Sequence, residues 1–324
     1  MIFHKRYLSI LSIGFSGNAH IRFFIICICM VFPLSFLFTG CSTPPKKLMI
    51  EDIQRGFYPE SIIDTKYQDP ISFEMLIDRL SDIQLIYVGE RHTDQNHHDL
   101  QLKVIKSLYE LHPDLQVGME MFANTYQHIL DQWSDGQLDE SEFLMKTHWY
   151  ANWRYPFELY RDILLFIREN NISLVGLNIP FHIPSKIATG GINNLLEHDR
   201  KFLPETINTD IEAHRQYVKR IWQKHNLRGR DNFENFYEAQ CVWEDTMAEV
   251  VAAYSGEKPM VILAGNGHII YKFGIPVRAF QKNPVTFKTI YPVAAGNSVK
   301  LDYADYIWVT PETRKFHRMP PNHP

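Results

Sequence analysis

Three short apolar segments of this chain end in the same way. Residues 84–88 run into Gly89-Glu90-Arg91-His92, residues 115–117 into Gly118-Met119-Glu120, and residues 260–264 into Gly265-Asn266-Gly267-His268. Such runs, separated by helical-period stretches of ten or more residues, specify strands of a parallel sheet with right-handed crossovers. In an open sheet of this kind ligands bind outside the carboxyl ends of the strands. Segments far apart in sequence that each place a carboxylate or imidazole there therefore predict one shared pocket.

The pattern between these segments gives the fold class: α/β, with a mostly parallel sheet flanked by helices and a helical cap insertion. Helices are expected at 73–80, 97–111, 126–133, 141–148, 157–170 and 232–254. Further strands are expected at 173–177, 287–293 and 307–310, the last two as edge strands. Residues 179–231 break the rhythm with Pro180, Pro184, Gly190-Gly191 and Pro204 and carry no convincing strand. They read as the cap, because Leu195, Leu196, Tyr217, Ile221 and Trp222 need a surface to cover. The α/β domain then spans 71–310, after a tether and N-terminal extension at 41–70 and before a basic, proline-rich disordered tail at 311–324.

Lys5, Arg6 and Arg22 precede an apolar stretch at 23–38 that leads into Thr39-Gly40-Cys41. Basic residues, an apolar run short of the roughly 20 residues that span a bilayer, and small residues before a cut describe a secretory signal peptide at 1–40. The cysteine after Thr-Gly resembles a bacterial lipobox, which makes Cys41 the lipidated first residue of the mature chain; an uncleaved membrane anchor is the alternative. Ser42 fits sorting to the outer membrane, facing the periplasm. Losing 1–40 removes three cations and no acidic residue, so the formal charge of −4 becomes −7. A mildly acidic domain argues against nucleic acid as a partner. With Cys27 and Cys29 gone and Cys41 acylated, Cys241 alone remains, which excludes an intrachain disulfide and a thiolate-rich metal site. Any cofactor must be held by His, carboxylate or Tyr.

Glu90 and His92 after a strand-terminal glycine suit acid–base work or a borderline metal. His97 lies on the Leu100, Val104, Leu108 and Leu111 face and points inward, whereas His98 faces elsewhere. Glu120 among Met119 and Met121 must be paired or metal-bound if ionised. Along 232–254 the stripe Phe233, Tyr237, Gln240, Glu244, Met247, Val251 puts two polar side chains on a buried face, where they need partners. Tyr237 offers a phenol of the kind that binds ferric iron. For any single tyrosine, however, ordinary packing with a hydrogen-bonded hydroxyl is the commoner account. His268 closes the set, and the Gly265-Asn266-Gly267 turn exposes amides that suit an anion.

The segments Gly89-Glu90-Arg91-His92 with His97-His98, Gly118-Met119-Glu120-Met121-Phe122, Phe236-Tyr237-Glu238-Ala239-Gln240 with Trp243-Glu244, and Ala264-Gly265-Asn266-Gly267-His268 with Gly274-Ile275-Pro276 resemble, in order, the ChaN family of haem-binding lipoproteins. That family is grouped with Tiki-type metalloproteases and erythromycin esterases. The resemblance spans 85–276 and implies haem held by an axial tyrosine, two chains pairing as a homodimer around stacked haems, and a haem or iron receptor in the outer membrane as a partner. By position the tyrosine is Tyr237, with Tyr217 and Tyr160 as alternatives, and with Gln240, Glu244 and His97 beside the cofactor. Residues 179–184, with Phe181 and His182, depart from the family pattern. Two functions follow. One is a lipid-anchored haem carrier. The other is a metal-dependent hydrolase with Glu90, His92, Glu120 and His268 as catalytic groups and His92, Glu120 and His268 holding a divalent ion that activates water. The carrier is the preferred reading.

Overall fold

The computed structural model describes residues 45–224, 231–256 and 258–312. The expected signal peptide, Cys41 and the tail beyond residue 312 lie outside the described residues. The strands are β1 (Leu48–Ile50), β2 (Arg55–Phe57), β3 (Ile62–Asp64), β4 (Asp69–Ile71), β5 (Leu85–Glu90), β6 (Gln116–Ala123), β7 (Ser173–Asn178), β8 (Met260–Gly265), β9 (Phe287–Ala294), β10 (Ser298–Val299) and β11 (Tyr306–Thr310). The helices are α1 (Phe73–Leu80), α2 (Gln95–Leu111), α3 (Gln127–Ser134), α4 (Glu140–Lys146), α5 (Trp149–Asn152), α6 (Arg161–Glu169), α7 (His182–Gly190), α8 (Glu197–Arg200), α9 (Glu212–Lys224), α10 (Phe233–Tyr254) and α11 (Ile275–Lys282).

The main sheet runs β4-β3-β11-β9-β5-β8-β6-β7. From β11 to β7 every neighbour is parallel, while β3 and β4 add an antiparallel hairpin at one side. The expected edge positions of β9 and β11 are therefore corrected: both lie inside the sheet, and all five residues of β11 are buried. The hairpin that covers them was hidden because its strands have three residues each and β4 contains Pro70. Proline is tolerated in an edge strand, where a missing donor costs no ladder bond. The expected N-terminal extension at 41–70 is likewise folded into the domain from Leu48 onward. A small sheet, β10-β1-β2, packs Leu48 and Ile50 with Ile63, Ile307 and Val309.

Helices cover both faces of the main sheet, so its central strands are apolar on both sides. Side chains alternate accordingly. Ile86 and Val88 of β5 join a core with Leu80, Val104, Leu108 and Ile163, whereas Leu85 and Tyr87 face Met247, Val251, Ile275 and Ala279. The same alternation carries Glu90 out of β5 toward α2 and α6. The cap holds α7, α8 and α9 and packs on α10: Ile179, Ile183, Ile187 and Leu195 meet Ala239 and Val242, and Val218 meets Tyr237 and Cys241. Leu196, expected to be covered, is exposed.

Candidate functional site

Glu90 is buried at the end of β5, and its carboxylate is fully engaged. Oε1 lies 2.7 Å from His92 Nδ1 and accepts the Tyr160 hydroxyl at 2.6 Å; Oε2 accepts Gln101 Nε2 at 2.9 Å and faces His98 Nδ1 at 3.4 Å. Burial raises the Glu90 carboxyl's pKa, but the His98 charge and the hydrogen bonds from His92 and His98 overcome that and hold it below the usual range. His98 thus reaches the site, contrary to the sequence expectation. The first turn of α2 is wedged between the sheet and Tyr160, whose ring lies 4.4 Å from His98, so two adjacent positions are buried at once. His97 is buried too but supports the backbone: Nδ1 accepts the Arg91 N–H at 2.9 Å, and burial pushes its pKa down to about 4. It lines neither of the two clefts described below.

Glu120 is buried within β6, just past the stretch that pairs with β8. Its Oε2 accepts the Gly265 N–H at 2.6 Å, and its Oε1 faces His268 Nε2 at 3.4 Å. His268 in turn sets Nδ1 3.1 Å from Glu244 Oε1, and Gln240 Nε2 donates to that same oxygen at 2.8 Å. The polar pair on the buried stripe of α10 thus meets His268. Burial works against the His268 proton, but Glu120 and then Glu244 retain it, raising the pKa to about 10. The second oxygen of Glu244 faces His214 Nε2 of α9 at 3.1 Å and Arg278 Nε of α11 at 3.4 Å, and Arg278 also donates to Asp245 at 2.6 Å. A buried ionic chain therefore joins the strand ends to the cap. His214 and Arg278 were not singled out from sequence, because each sits in a segment whose pattern reads as a half-exposed helix.

These groups border two hollows. A cleft of about 930 Å³ is lined by His92, Glu120, Trp153, Tyr155, Phe181 and Trp243, with Phe202, Phe236, Arg154 and Lys186 also on its wall. A second, of about 490 Å³, shares His92 and Tyr155 with the first. His92 Nδ1 is bound to Glu90, and its ring packs 4.8 Å from Trp153 and 5.0 Å from Tyr155. Burial lowers its pKa, but the Glu90 hydrogen bond and Glu120 reverse the shift and leave it raised. Tyr155 escaped the sequence reading because it lies in a loop without periodicity. Arg154 beside it takes φ 65°, a left-handed strain of the sort concentrated at functional sites.

None of the three expected tyrosines lines either cleft. Tyr160 donates to Glu90, Tyr237 is buried and donates to the Ile211 carbonyl at 3.4 Å, and Tyr217 packs 5.7 Å from Tyr271. The expected metal trio His92, Glu120 and His268 is brought together, but as ion pairs. Among the described residues no group of three or more His, Cys, Asp or Glu is arranged to hold a metal ion. Both His268 nitrogens face carboxylate oxygens of two different elements, Nε2 toward Glu120 at 3.4 Å and Nδ1 toward Glu244 at 3.1 Å. The divalent-ion expectation therefore has no support in the geometry.

A parallel α/β sheet with buried carboxylate–imidazole pairs at its carboxyl edge, an aromatic cleft above them and a helical cap on α10 defines a capped ligand-binding protein of the α/β class. The chain belongs to the haem-binding uptake family ChaN of the Tiki superfamily, whose model matches residues 76–279. Among solved structures it is similar to ChaN of Campylobacter jejuni, described as binding haem cofacially, with 22% identity over 76% of this chain and 95% of that one and a TM-score of 0.62. That likeness shows a shared fold. An erythromycin esterase, EreC, in its open conformation is matched at 12% identity over 73% of this chain and 76% of that one, with a TM-score of 0.44. No curated protein matches the chain.

Proposed function

We propose that this protein is a haem carrier of a haem or iron uptake system, lipid-anchored through Cys41, with haem in the aromatic cleft and its iron ligated by Tyr155. Family membership supports haem as the ligand. The observation that carries the placement is the cleft itself: about 930 Å³, faced by Trp153, Tyr155, Phe181, Phe202, Phe236 and Trp243. That volume and lining are those of a site for a large flat apolar ligand. Tyr155 is half-buried at the inner wall. Burial and then Glu120 and Glu90 raise its phenol pKa, and a ferric ion is the charge that reverses this and favours phenolate. Arg154 at the wall supplies a cation for a propionate, with Lys186, which pairs with Asp199 at 2.6 Å, beside it. The cofacial haems of the Campylobacter jejuni protein support pairing of two chains around stacked haems, with an outer-membrane receptor as the further partner.

The test is a haem titration of protein lacking residues 1–41. A Soret shift saturating near one haem per chain is expected, lost in Tyr155→Phe and retained in Tyr160→Phe, Tyr217→Phe and Tyr237→Phe. Retention in Tyr155→Phe with loss in Tyr217→Phe would move the haem to the cap, and no saturable shift would sink the carrier reading. One observation favours a second reading. A buried carboxylate holds His92 through Nδ1 while its ring lines the cleft, an arrangement that suits a general base. Turnover of esters or peptides that disappears in His92→Gln would support a hydrolase; its absence across both classes removes that reading.

A further inference from the structure

The loop after β5 and the turn at Asn266–His268 enclose the second hollow, which the haem reading leaves unused. Its volume is about 490 Å³, and apart from Tyr155 its wall is polar or glycine: Arg91, His92, Thr93, Asn266, Gly267 and His268 face it, with Glu90 behind. At about half the volume of the first cleft, and without its wall of aromatic rings, it does not suit a porphyrin. It suits a small ligand held by a few directed polar groups.

The charges decide the sign of that ligand. Each carboxylate at the floor already faces imidazole: Glu90 meets His92 at 2.7 Å and His98 at 3.4 Å, and Glu120 meets His268 at 3.4 Å. Arg91 is the positive charge left over. Its side chain is exposed and makes no hydrogen bond or ion pair among the described residues. Its backbone is pinned on both sides, since the Arg91 N–H donates to His97 Nδ1 at 2.9 Å and its carbonyl accepts the Asp94 N–H at 2.8 Å. Asn266 brings no competing acceptor, because its amide donates to the Pro292 carbonyl at 2.9 Å and its oxygen is buried against Gly89. A side chain added at Gly267 would meet nothing within 4 Å, so a ligand can approach the backbone there.

We infer that this second cleft binds a small oxyanion, a carboxylate or a phosphate, gripped by the Arg91 guanidinium and the Thr93 hydroxyl beside Gly267. A planar guanidinium binds either group through two parallel hydrogen bonds, which a lysine cannot reproduce. The inference does not rest on the placement of haem. It is tested by calorimetric titration of the folded protein with inorganic phosphate and, separately, with succinate, in chloride buffer at low ionic strength. One-to-one saturation by either anion is expected; saturation by phosphate alone or succinate alone identifies which oxyanion the cleft prefers. Arg91→Gln should weaken binding at least tenfold, Arg91→Lys should fall between, and Gly267→Val should block it by filling the approach. The exposed position of Arg91 makes a folding defect easy to separate, by an unchanged thermal melt. Saturation by neither anion, or wild-type affinity in Arg91→Gln, overturns the proposal.

Discussion

Replacing Glu244 by Gln is the sharpest test of the ionic chain that runs from the sheet to the cap. Glu244 is fully buried, accepts from Gln240 and faces three basic side chains: His268 at 3.1 Å, His214 at 3.1 Å and Arg278 at 3.4 Å. Breaking a buried pair by removing one partner costs about 3–5 kcal/mol. The lower end applies here, because Arg278 keeps Asp245 and His268 keeps Glu120. The His268 proton gives an independent figure. A pKa of about 10 against 6.5, at about 1.4 kcal/mol per unit, corresponds to a net gain of about 5 kcal/mol after the opposing effect of burial. Glu120 supplies the larger share of it and Glu244 the smaller. The expected destabilisation at pH 7 is therefore about 3 kcal/mol, a fall in Tm of about 5 °C. The pH dependence carries a definite sign. A raised histidine pKa contributes stability that is fully present below 6.5 and is lost as pH rises through about 10. The cost of Glu244→Gln should thus be largest near neutrality and shrink toward pH 10. Urea unfolding at both pH values measures it. A cost below about 1 kcal/mol at pH 7, or one that grows toward pH 10, would refute the reasoning.

Three further outcomes are expected. Gly89→Ala places a Cβ 2.0 Å from Asn266 Oδ1, so urea unfolding should show a loss of about 1–3 kcal/mol, partly recovered in Gly89→Ala/Asn266→Ala. Tyr160→Phe removes the 2.6 Å hydrogen bond to Glu90 and should cost about 1.5–3 kcal/mol, with the histidine resonances of His92 and His98 shifting in an NMR titration while the far-ultraviolet spectrum is unchanged. Burial pushes the Cys241 thiol up to about 12, so folded protein lacking residues 1–41 should resist a disulfide reagent at pH 8 and react with one thiol per chain once unfolded in urea.

The parts of the fold that were legible from sequence are those whose period is unmistakable. β5, β6, β8 and α10 declare themselves by continuous apolar runs or a long amphipathic stripe, and Gly89, Gly118 and Gly265 mark where Glu90, Glu120 and His268 emerge, although β6 runs on past Gly118 to Ala123. What stayed hidden has local causes. Three-residue strands such as β3 carry too few alternations to register, so the interior placement of β9 and β11 could not be inferred. Helical periodicity assigned one face to the start of α2 and chose His97 over His98, whereas tertiary packing buries both. Tyr155 lies in a loop, and His214 belongs to a helix whose polar majority masks one buried position. In each case the deciding contact is made by a segment distant in sequence.

The strand order has a consequence for how the molecule must be made. β5, which delivers Glu90 and His92, pairs on one side with β8 and on the other with β9, both from the final third of the described chain. Its neighbours in sequence, by contrast, join the sheet elsewhere. Pairings of such wide sequence separation form slowly, because a long loop must close before any contact rewards it. During synthesis from the N-terminus, this buried strand therefore waits with both edges unpaired until about residue 265 has emerged, and with one edge open until about residue 290. Such an interval exposes the chain to aggregation and to chaperones. It also means that no N-terminal fragment, however long short of that point, can assemble the pocket.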